Sequence, residues 1–204
     1  MSTIVNFDLN KKSSQRGKVF VVAGSAGSGK NTLIRKALDM DLNITFIPSF
    51  TTRQMRSGEC HGNPYFFTNV ESFQEMIDNN EFLEYEKVHG RDFYGTHLTT
   101  YQYAIDNGFH IISDLDVKGA TKVKSIFNDD AVLIFIKVPN TETLKERLIH
   151  RGEASAEIEK RLERVAFEEA KKNEFDYIIV NDELSKASSE FCEVIRKYTE
   201  SDTK

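Results

Sequence analysis

The sequence predicts an α/β fold in which a parallel β-sheet is covered by α-helices on both faces. Short apolar runs alternate along the chain with segments of helical periodicity, as in proteins built from strand–helix–strand units. A glycine-rich turn joins the first apolar run to the first helix, an arrangement typical of phosphate-binding sheets. The length of 204 residues suits one such domain with one or two insertions.

The strands of the sheet are predicted from apolar runs and from the residues that end them. Residues 19–23 are all apolar, which is the pattern of a strand buried on both faces. Pro48 ends the second run and Pro139 closes a later one, because proline cannot donate a hydrogen bond to a sheet. The predicted strands span residues 18–23, 44–47, 109–113, 131–138 and 175–180.

The helices are predicted from apolar periodicity and from residues typical of helix ends. Thr68 and Glu71 form a capping-box pattern before a helix that has Phe73 on its apolar face. Gly108 ends the following helix. Residues 1–17 lack periodicity and are predicted to be a polar tail. The helix that Gly108 ends covers residues 99–107, and the remaining predicted helices cover residues 33–40, 117–127 and 141–150, with a last helix at the C-terminus.

Composition narrows the class of protein. The apolar content of 39% and the charged content of 29% are those of a soluble globular protein. A net charge of -5 argues against a nonspecific nucleic-acid-binding protein. No run approaches the roughly 20 apolar residues of a membrane helix, and the N-terminus lacks the apolar region of a signal peptide. We therefore expect a cytoplasmic protein with no membrane or nucleic-acid partner.

The cysteines and histidines show no metal-binding arrangement. Cys60 and Cys192 are far apart and lack paired spacing, so we expect two reduced thiols, although the sequence leaves a disulfide open. The histidines are scattered, so no structural zinc site is predicted.

The glycine-rich turn is the strongest functional motif, and it is predicted to bind a nucleoside triphosphate. It matches the pattern G-x-x-x-x-G-K-[ST] except at Asn31. Glycines allow successive N–H groups to turn toward one anion, and the helix N-terminus adds a partial positive charge. Lys30 adds a full charge that can reach the β- and γ-phosphates. A glycine-rich turn without a ligand is the alternative, and the flanking strand and helix argue against it. The turn reads Gly24-Ser25-Ala26-Gly27-Ser28-Gly29-Lys30-Asn31-Thr32.

Two acidic residues follow the third predicted strand. Residues 109–113 lead directly into Asp114 and, two positions later, Asp116. An apolar strand that ends in an aspartate is typical of the residue that holds Mg²⁺ beside a phosphate-binding loop. A helix N-cap is the alternative for either aspartate. Together with the loop, the pattern predicts that Asp114 and the amide oxygen of Asn31 hold Mg²⁺.

Three further stretches are polar and carry candidate binding residues. Residues 49–68 are rich in serine, threonine, arginine and glycine and are predicted to be a binding loop. A short strand at residues 82–85 precedes a second polar and aromatic loop at residues 89–96. Arginines recur between residues 147 and 164 with glutamates alongside. A salt-bridged, exposed helix face is the alternative for these arginines, and we expect it to account for some of them.

The order of these motifs resembles the guanylate kinase family from about residue 18 to residue 198. The residues that carry the resemblance are the phosphate loop, the S-x-T-T-R-x-x-R-x-G-E pattern at 49–59, and segments 62–67, 82–85, 94–96, 114–119 and 180–182. The resemblance implies a P-loop parallel sheet core, an inserted small GMP-binding subdomain with β-strands, and an arginine-bearing lid. The implied boundaries are residues 18–48, 98–146 and 167–200 for the core, 49–97 for the insertion and 147–166 for the lid.

The resemblance also implies an activity and a role for each matching residue. The activity is transfer of the γ-phosphoryl group of ATP to GMP, and also to dGMP, with Mg²⁺ as cofactor. The residues that match the readers of the guanine base are Ser49, Glu84 and Thr96. Those that match the holders of the GMP phosphate are Arg53, Arg56, Tyr65 and Tyr94, with Asp114 and Asp116 as the acidic pair near the nucleotide. The matching catalytic residues are Lys30, Arg53, Arg147, Arg151 and Arg161, and Asn181 matches a position beside the adenine of ATP.

The chemistry of guanine supports the role of Glu84 independently. The base presents two adjacent donors, N1–H and the 2-amino group, and one carboxylate can accept both. Adenine lacks the 2-amino group, and a site built on a specific hydrogen bond rejects an analogue that cannot form it. Without the surrounding motifs, an exposed strand residue is the simpler interpretation of Glu84.

The sequence departs from the family pattern at Asn31, Pro64 and Lys118, and residues 91–93 make a loop one residue longer than usual. Two other functions stay open at this level. One is a non-catalytic, guanylate-kinase-like binding module, and the other is a P-loop kinase with a different acceptor. The sequence does not distinguish a monomer from a homodimer.

Overall fold

The computed structural model describes residues 5–88, 90–150 and 152–200. Two five-stranded sheets and seven α-helices are found within these residues. The strands are β1 (Val19–Ala23), β2 (Ile44–Phe46), β3 (Phe50–Thr51), β4 (Cys60–His61), β5 (Pro64–Phe67), β6 (Phe82–Val88), β7 (Asp92–His97), β8 (His110–Asp114), β9 (Ala131–Lys137) and β10 (Tyr177–Val180). The helices are α1 (Lys30–Asp39), α2 (Val70–Asp78), α3 (Leu98–Asp106), α4 (Val117–Phe127), α5 (Thr141–His150), α6 (Ser155–Lys171) and α7 (Leu184–Thr199).

The core sheet has the order β10-β9-β1-β8-β2, and all of its neighbouring strands pair in parallel. β1 is fully buried because its two faces enter two different apolar clusters. Val19 and Val21 pack in one cluster, and Phe20 and Val22 pack in the other. This alternation explains why the strand is apolar at every position. The predicted parallel α/β fold is confirmed.

The second sheet lies between residues 50 and 97 and has the order β4-β5-β3-β7-β6. Its own apolar cluster is formed by Phe50, Phe66 and Phe73, and Phe73 comes from α2. The predicted polar loop at residues 89–96 is wrong for its second half. Residues 92–97 form β7, which pairs antiparallel with β6, and β6 itself extends beyond the predicted residue 85 to Val88. Pairing with a neighbouring strand stabilises these polar residues in an extended conformation. The residue pattern of one segment does not show which other segment it pairs with.

The start of α2 also differs from the prediction. Asn69, not Thr68, is the N-cap, and its side-chain oxygen accepts a hydrogen bond from the N–H of Ser72 at 2.7 Å. Asparagine caps a helix as well as threonine does, so two adjacent cap formers left the boundary ambiguous by one residue.

The described part of the N-terminal segment is not a free tail. The ring of Phe7 stacks on that of Phe109 with centroids 4.7 Å apart. Arg16 forms ion pairs with Asp106 and Asp130. The segment therefore covers the end of the core sheet at which β8 begins, although its overall polarity predicted a tail.

The predicted lid, residues 147–166, falls on the end of α5 and on most of α6. A small apolar cluster that includes Leu144, Leu148 and Ile158 packs these two helices together. No helix among residues 5–88, 90–150 and 152–200 is long and apolar enough to cross a membrane. The thiols of Cys60 and Cys192 are free, as their spacing predicted.

Candidate active site

The glycine-rich turn lies between β1 and α1, and two of its glycines are sterically required. Gly24 has a φ of 136°, and a Cβ atom there would lie 2.0 Å from the carbonyl oxygen of Ile136. Gly29 has a φ of 94°, and a Cβ atom there would lie 2.2 Å from the side-chain nitrogen of Asn181. The loop is thus held between β9 and the segment after β10, and its amides lead into the N-terminus of α1.

We expect Gly24→Ala to lower the free energy of unfolding by about 3 kcal/mol or more, because it adds a backbone clash to an unfavourable φ. Gly58→Ala is the matched control, since Gly58 also has a positive φ of 85° but a Cβ atom there has no neighbour within 4 Å. The control should lose only about 1 to 2 kcal/mol. Urea unfolding of both variants measures the difference, and equal losses would contradict the close approach to Ile136.

Lys30 and Asp114 meet at the carboxyl end of the core sheet. The Lys30 ammonium donates to the carbonyl oxygen of Gly24 at 2.6 Å and lies 3.8 Å from a carboxylate oxygen of Asp114. The two residues meet because β8 pairs with β1 in a register that places Asp114 opposite Val22. Burial raises the pKa of Asp114, and the charge of Lys30 opposes that rise. A cation and an acid are therefore placed together beside the phosphate-binding loop.

A cleft of about 970 Å³ opens beside this pair. It contains most of the residues predicted to bind ATP, and the ones that line it are Ala26, Gly27, Gly29, Lys30, Asn31, Thr32 and Asn181. Arg147, Arg161 and Asp114 also line it, whereas Arg151 lies outside the described residues. Ser25 and Ser28 are buried in the loop. The sequence prediction missed Glu146 and His150, although His150 is three residues from Arg147 and four from Glu146 on α5, which could have indicated a shared helix side.

Asn181 supports the loop from the far side. Its side-chain nitrogen donates to the backbone carbonyl oxygen of Ser28 at 2.7 Å. Its backbone carbonyl oxygen accepts a hydrogen bond from the guanidinium of Arg147 at 3.0 Å. Its exposed fraction is only 4%. Asn181 therefore positions the phosphate-binding loop and Arg147 directly, and its contact with adenine stays a prediction.

Arg161 is paired with acidic neighbours in its own part of the chain. Its Nε lies 2.8 Å from a carboxylate oxygen of Glu153 and 3.8 Å from one of Glu157. The alternative of a salt-bridged helix face thus describes part of its environment. The same side chain still lines the cleft, so both descriptions apply to Arg161.

Glu84 and Thr96 form the centre of a second group of candidate binding residues, on β6 and β7. They are directly opposite in the β6–β7 pairing, and the Thr96 hydroxyl donates to the Glu84 carboxylate at 2.6 Å. Burial raises the pKa of Glu84, the hydrogen bond from Thr96 lowers it, and the charges of Asp116 and Glu86 raise it again. A half-buried carboxylate with an oxygen available beside a hydroxyl can accept hydrogen bonds from a base edge.

Arg53 lies in an aromatic and acidic setting. One of its terminal nitrogens donates to both carboxylate oxygens of Glu59, at 2.9 and 3.0 Å. Its guanidinium lies 5.5 Å from the ring centroid of Tyr65, and that ring meets Tyr94 edge to face at 5.5 Å. Burial raises the pKa of Tyr65 to about 12, so its hydroxyl stays neutral and can donate. The structure brings Arg53, Tyr65 and Tyr94 together as predicted.

Arg56 and Ser49 occupy the edge of this group. The side chain of Arg56 is exposed, and its backbone N–H donates to Glu59 at 2.8 Å. Ser49 is half-buried, and its carbonyl oxygen accepts from the N–H of Phe66. Glu59 was part of the sequence pattern without an assigned role. Glu59 holds the side chain of Arg53 and the backbone of Arg56.

Asp116 connects three parts of the fold. One carboxylate oxygen caps α4 by accepting from the N–H of Gly119 at 2.8 Å. The other lies 3.6 Å from Arg164 of α6, and the same carboxylate contributes to the electrostatics of Glu84. The N-cap alternative considered for this aspartate is therefore correct, and the same side chain also lies close enough to Glu84 to affect its pKa.

The fold and the site together define a P-loop α/β protein in which a second sheet is inserted between β2 and α3 of the core. A family model described as guanylate kinase matches residues 16–198. By these findings, the chain belongs to the guanylate kinase family. The family resemblance of the sequence is confirmed.

Individual relatives agree along nearly the whole chain. The guanylate kinase of Bacteroides thetaiotaomicron is 38% identical over 97% of this chain and 98% of its own length. That of Chlorobaculum tepidum is 41% identical over 84% of this chain and 88% of its own length. The crystal structure of guanylate kinase from Anaplasma phagocytophilum matches with a TM-score of 0.73 and 30% identity, over 91% of this chain and 87% of that one.

Proposed function

We propose that the two groups of residues act as one active site that transfers the γ-phosphoryl group of ATP to GMP or dGMP, giving ADP and GDP or dGDP. The chain is an ATP:GMP phosphotransferase in this assignment. The observation that carries it is the Glu84–Thr96 pair, which lies in the same domain as a phosphate-binding loop with Lys30. Because the proposed contacts involve the base and the phosphate, the ribose 2′-hydroxyl is not required. We place the activity in the cytoplasm, where thiols such as Cys60 stay reduced.

The acceptor is selected by the hydrogen bonds of its base and held by its phosphate. The ionised Glu84 accepts from N1–H and the 2-amino group of guanine, and Thr96 holds the carboxylate in orientation. Arg53, Tyr65 and Tyr94 supply donors for the phosphate, and the fork of the guanidinium suits that anion better than an ammonium would. Glu59 is the anion that holds Arg53 in this structure.

The transfer itself is an in-line displacement without a covalent enzyme intermediate. A phosphate oxygen of GMP forms a bond to the γ-phosphorus of ATP, and the bond from that phosphorus to the β–γ bridging oxygen breaks. The attacking oxygen is already ionised at neutral pH, so no strong general base is needed. Lys30, Arg147 and Arg161 hold the phosphates and offset the charge that develops on them. The lid, residues 147–166, excludes water and so prevents hydrolysis of ATP.

The donor set beside Lys30 fits Mg²⁺. The carboxylate of Asp114 and the amide oxygen of the exposed Asn31 both line the cleft, and both are the hard oxygen ligands that this ion prefers. No group of three or more acidic, histidine or cysteine side chains that could hold a metal ion occurs in the described part of the chain, so most ligands would be phosphate and water oxygens. When bound, Mg²⁺ neutralises phosphate charge.

We expect Asn31→Thr to lower the Mg²⁺ concentration needed for half-maximal rate by severalfold, because a hydroxyl is the usual ligand at this position of the loop. The KM for GMP should not change, since Asn31 lies in the ATP-side cleft. Initial rates titrated with MgCl₂ at fixed ATP and GMP measure both quantities. An identical Mg²⁺ dependence in the variant would show that Asn31 does not hold the ion.

ADP formation from ATP and Mg²⁺ in the presence of GMP, dGMP, AMP, CMP or UMP tests the proposed function. We expect turnover with the two guanine acceptors and loss of that turnover in excess EDTA. Turnover that favours another acceptor would overturn the assignment of Glu84 as a guanine reader. Folded protein without turnover on any acceptor would instead favour a non-catalytic binding module.

The raised pKa of Glu84 predicts a pH dependence of GMP binding. The base is read by the ionised carboxylate, so the KM for GMP should rise as the pH falls through a pKa above the ordinary value of about 4.3. Kinetics between about pH 5 and about pH 8 measure this rise. The phosphate of GMP titrates near pH 6 as well. The control is therefore Glu84→Gln. In this variant the phosphate of GMP should still contribute to the pH dependence of the KM, whereas the contribution of the Glu84 carboxylate should be lost.

A further inference from the structure

One face of α6 touches three different parts of the site. Arg161, Arg164 and Glu168 are spaced by three and four residues, so they lie along the same side of the helix. Arg161 lines the ATP-side cleft, Arg164 reaches Asp116, and Glu168 reaches the phosphate-binding loop at Ser25. The helix therefore connects the ATP side and the acceptor side.

The contact between Glu168 and Ser25 is the fixed end of this connection. The Ser25 hydroxyl donates to the Glu168 carboxylate at 2.6 Å, and the two residues are 6% and 9% exposed. A short hydrogen bond to a carboxylate away from water is among the stronger polar contacts in a protein, and breaking it would leave the carboxylate poorly paired. The C-terminal part of α6 is thereby tied to the loop.

The contact between Arg164 and Asp116 is weaker than the contact between Glu168 and Ser25. The two charges are 3.6 Å apart, and the Arg164 side chain is 54% exposed. Exposed ion pairs of this kind contribute little to stability and are screened by salt. Opening this pair therefore costs the fold little, unlike breaking the contact between Glu168 and Ser25.

The charges around Asp116 connect this pair with the base-reading residue. Burial raises the pKa of Glu84, and the negative charges of Asp116 and Glu86 raise it as well, because the three carboxylates repel one another. Lys118 and Lys122 of α4 line the same 400 Å³ pocket as these acids, and Thr96 contacts Glu84 from β7. Arg164 is the charge that approaches from α6. It offsets the charge of Asp116 and so favours the ionised Glu84 that accepts guanine.

On the basis of the proposed function, we propose that Arg164 is a positioning residue that couples occupation of the acceptor site to the placement of α6. Guanine stabilises the ionised form of Glu84, and this negative charge favours the approach of Arg164. By reciprocity, the approach of Arg164 favours GMP binding. Arg161 lies on the same helix as Arg164. Bound GMP, by holding α6 through Arg164, therefore helps to keep Arg161 at the ATP-side cleft.

The test compares Arg164→Gln with the wild type and with Arg164→Lys. We expect Arg164→Gln to lower kcat/KM for GMP about two- to fivefold and to leave the Kd for ATP measured without GMP unchanged. Arg164→Lys should recover most of the loss, since it restores the charge. The ratio of wild-type to Arg164→Gln activity should shrink between about 0.05 M and about 0.5 M NaCl, because screening weakens an exposed pair. Arg196→Gln is the control, as Arg196 of α7 pairs with Glu200, the residue directly after that helix, in an i,i+4 pair.

Two further results separate the proposal from its basis. In an Asp116→Asn background, Arg164→Gln should have no additional effect, since the two residues act through one contact. Wild-type protein that turns over GMP, with a kcat/KM unchanged in Arg164→Gln or reduced by a factor independent of salt, would overturn this inference alone. Wild-type protein without GMP turnover would overturn the proposed function and the inference with it.

Discussion

Lys30→Met should lower kcat for GMP phosphorylation by a factor on the order of 10² to 10³, which is the effect of removing one group that stabilises charge in a transition state. The Lys30 side chain is 13% exposed, and its ammonium lies between the loop carbonyl of Gly24 and the carboxylate of Asp114. Methionine keeps the length and the apolar stem, so the packing of α1 is retained. The loss is therefore expected in kcat more than in the free energy of unfolding.

Lys36→Met is the matched control for this experiment. Lys36 lies in the last turn of the same helix and is exposed. The same change of side chain there should leave kcat within about twofold of the wild type, because surface substitutions of this kind have small effects. Steady-state kinetics of the two variants, together with thermal unfolding, measure the contrast. A Lys30→Met variant that is folded and retains wild-type kcat would exclude the lysine from the transfer step.

Glu84→Gln should remove the preference for guanine. The amide presents a donor where guanine also presents donors, so one hydrogen bond is lost and a repulsive contact replaces it. We expect kcat/KM for GMP to fall about 100-fold or more, while the KM for ATP stays within about twofold, because only the base-reading contact changes. The side chains are nearly isosteric, and the hydrogen bond from Thr96 can still be accepted by the amide oxygen.

Glu86→Gln makes the same chemical change two residues along β6, where the side chain is exposed. This control should retain most of the wild-type kcat/KM for GMP. Kinetics with GMP and AMP for both variants give the ratio that reports the base preference. If Glu84→Gln kept the wild-type ratio of GMP to AMP activity, the base would have to be read by other residues.

The second sheet, between residues 50 and 97, contains features that the sequence did not predict. The pattern at residues 49–59 indicated the candidate arginines but not that Glu59 holds the side chain of Arg53 and the backbone of Arg56. The chain at residues 92–97 is polar and aromatic, so it lacked a clear strand signal, and β7 exists because β6 and β3 pair with it. Pairing between distant segments is a property of the folded chain.

Local chemistry was sufficient where one segment decides its own structure. The apolar run of β1, the glycines and lysine of the loop, and the aspartate after β8 determined the parallel core and the phosphate-binding end of the sheet, because each signal lies within a few consecutive residues. Contacts between remote segments were decided by tertiary structure alone. Asn181 beneath the loop, Glu168 against Ser25 and Arg164 beside Asp116 each join residues that only the packing of α5, α6 and the sheet brings within hydrogen-bond or ion-pair distance.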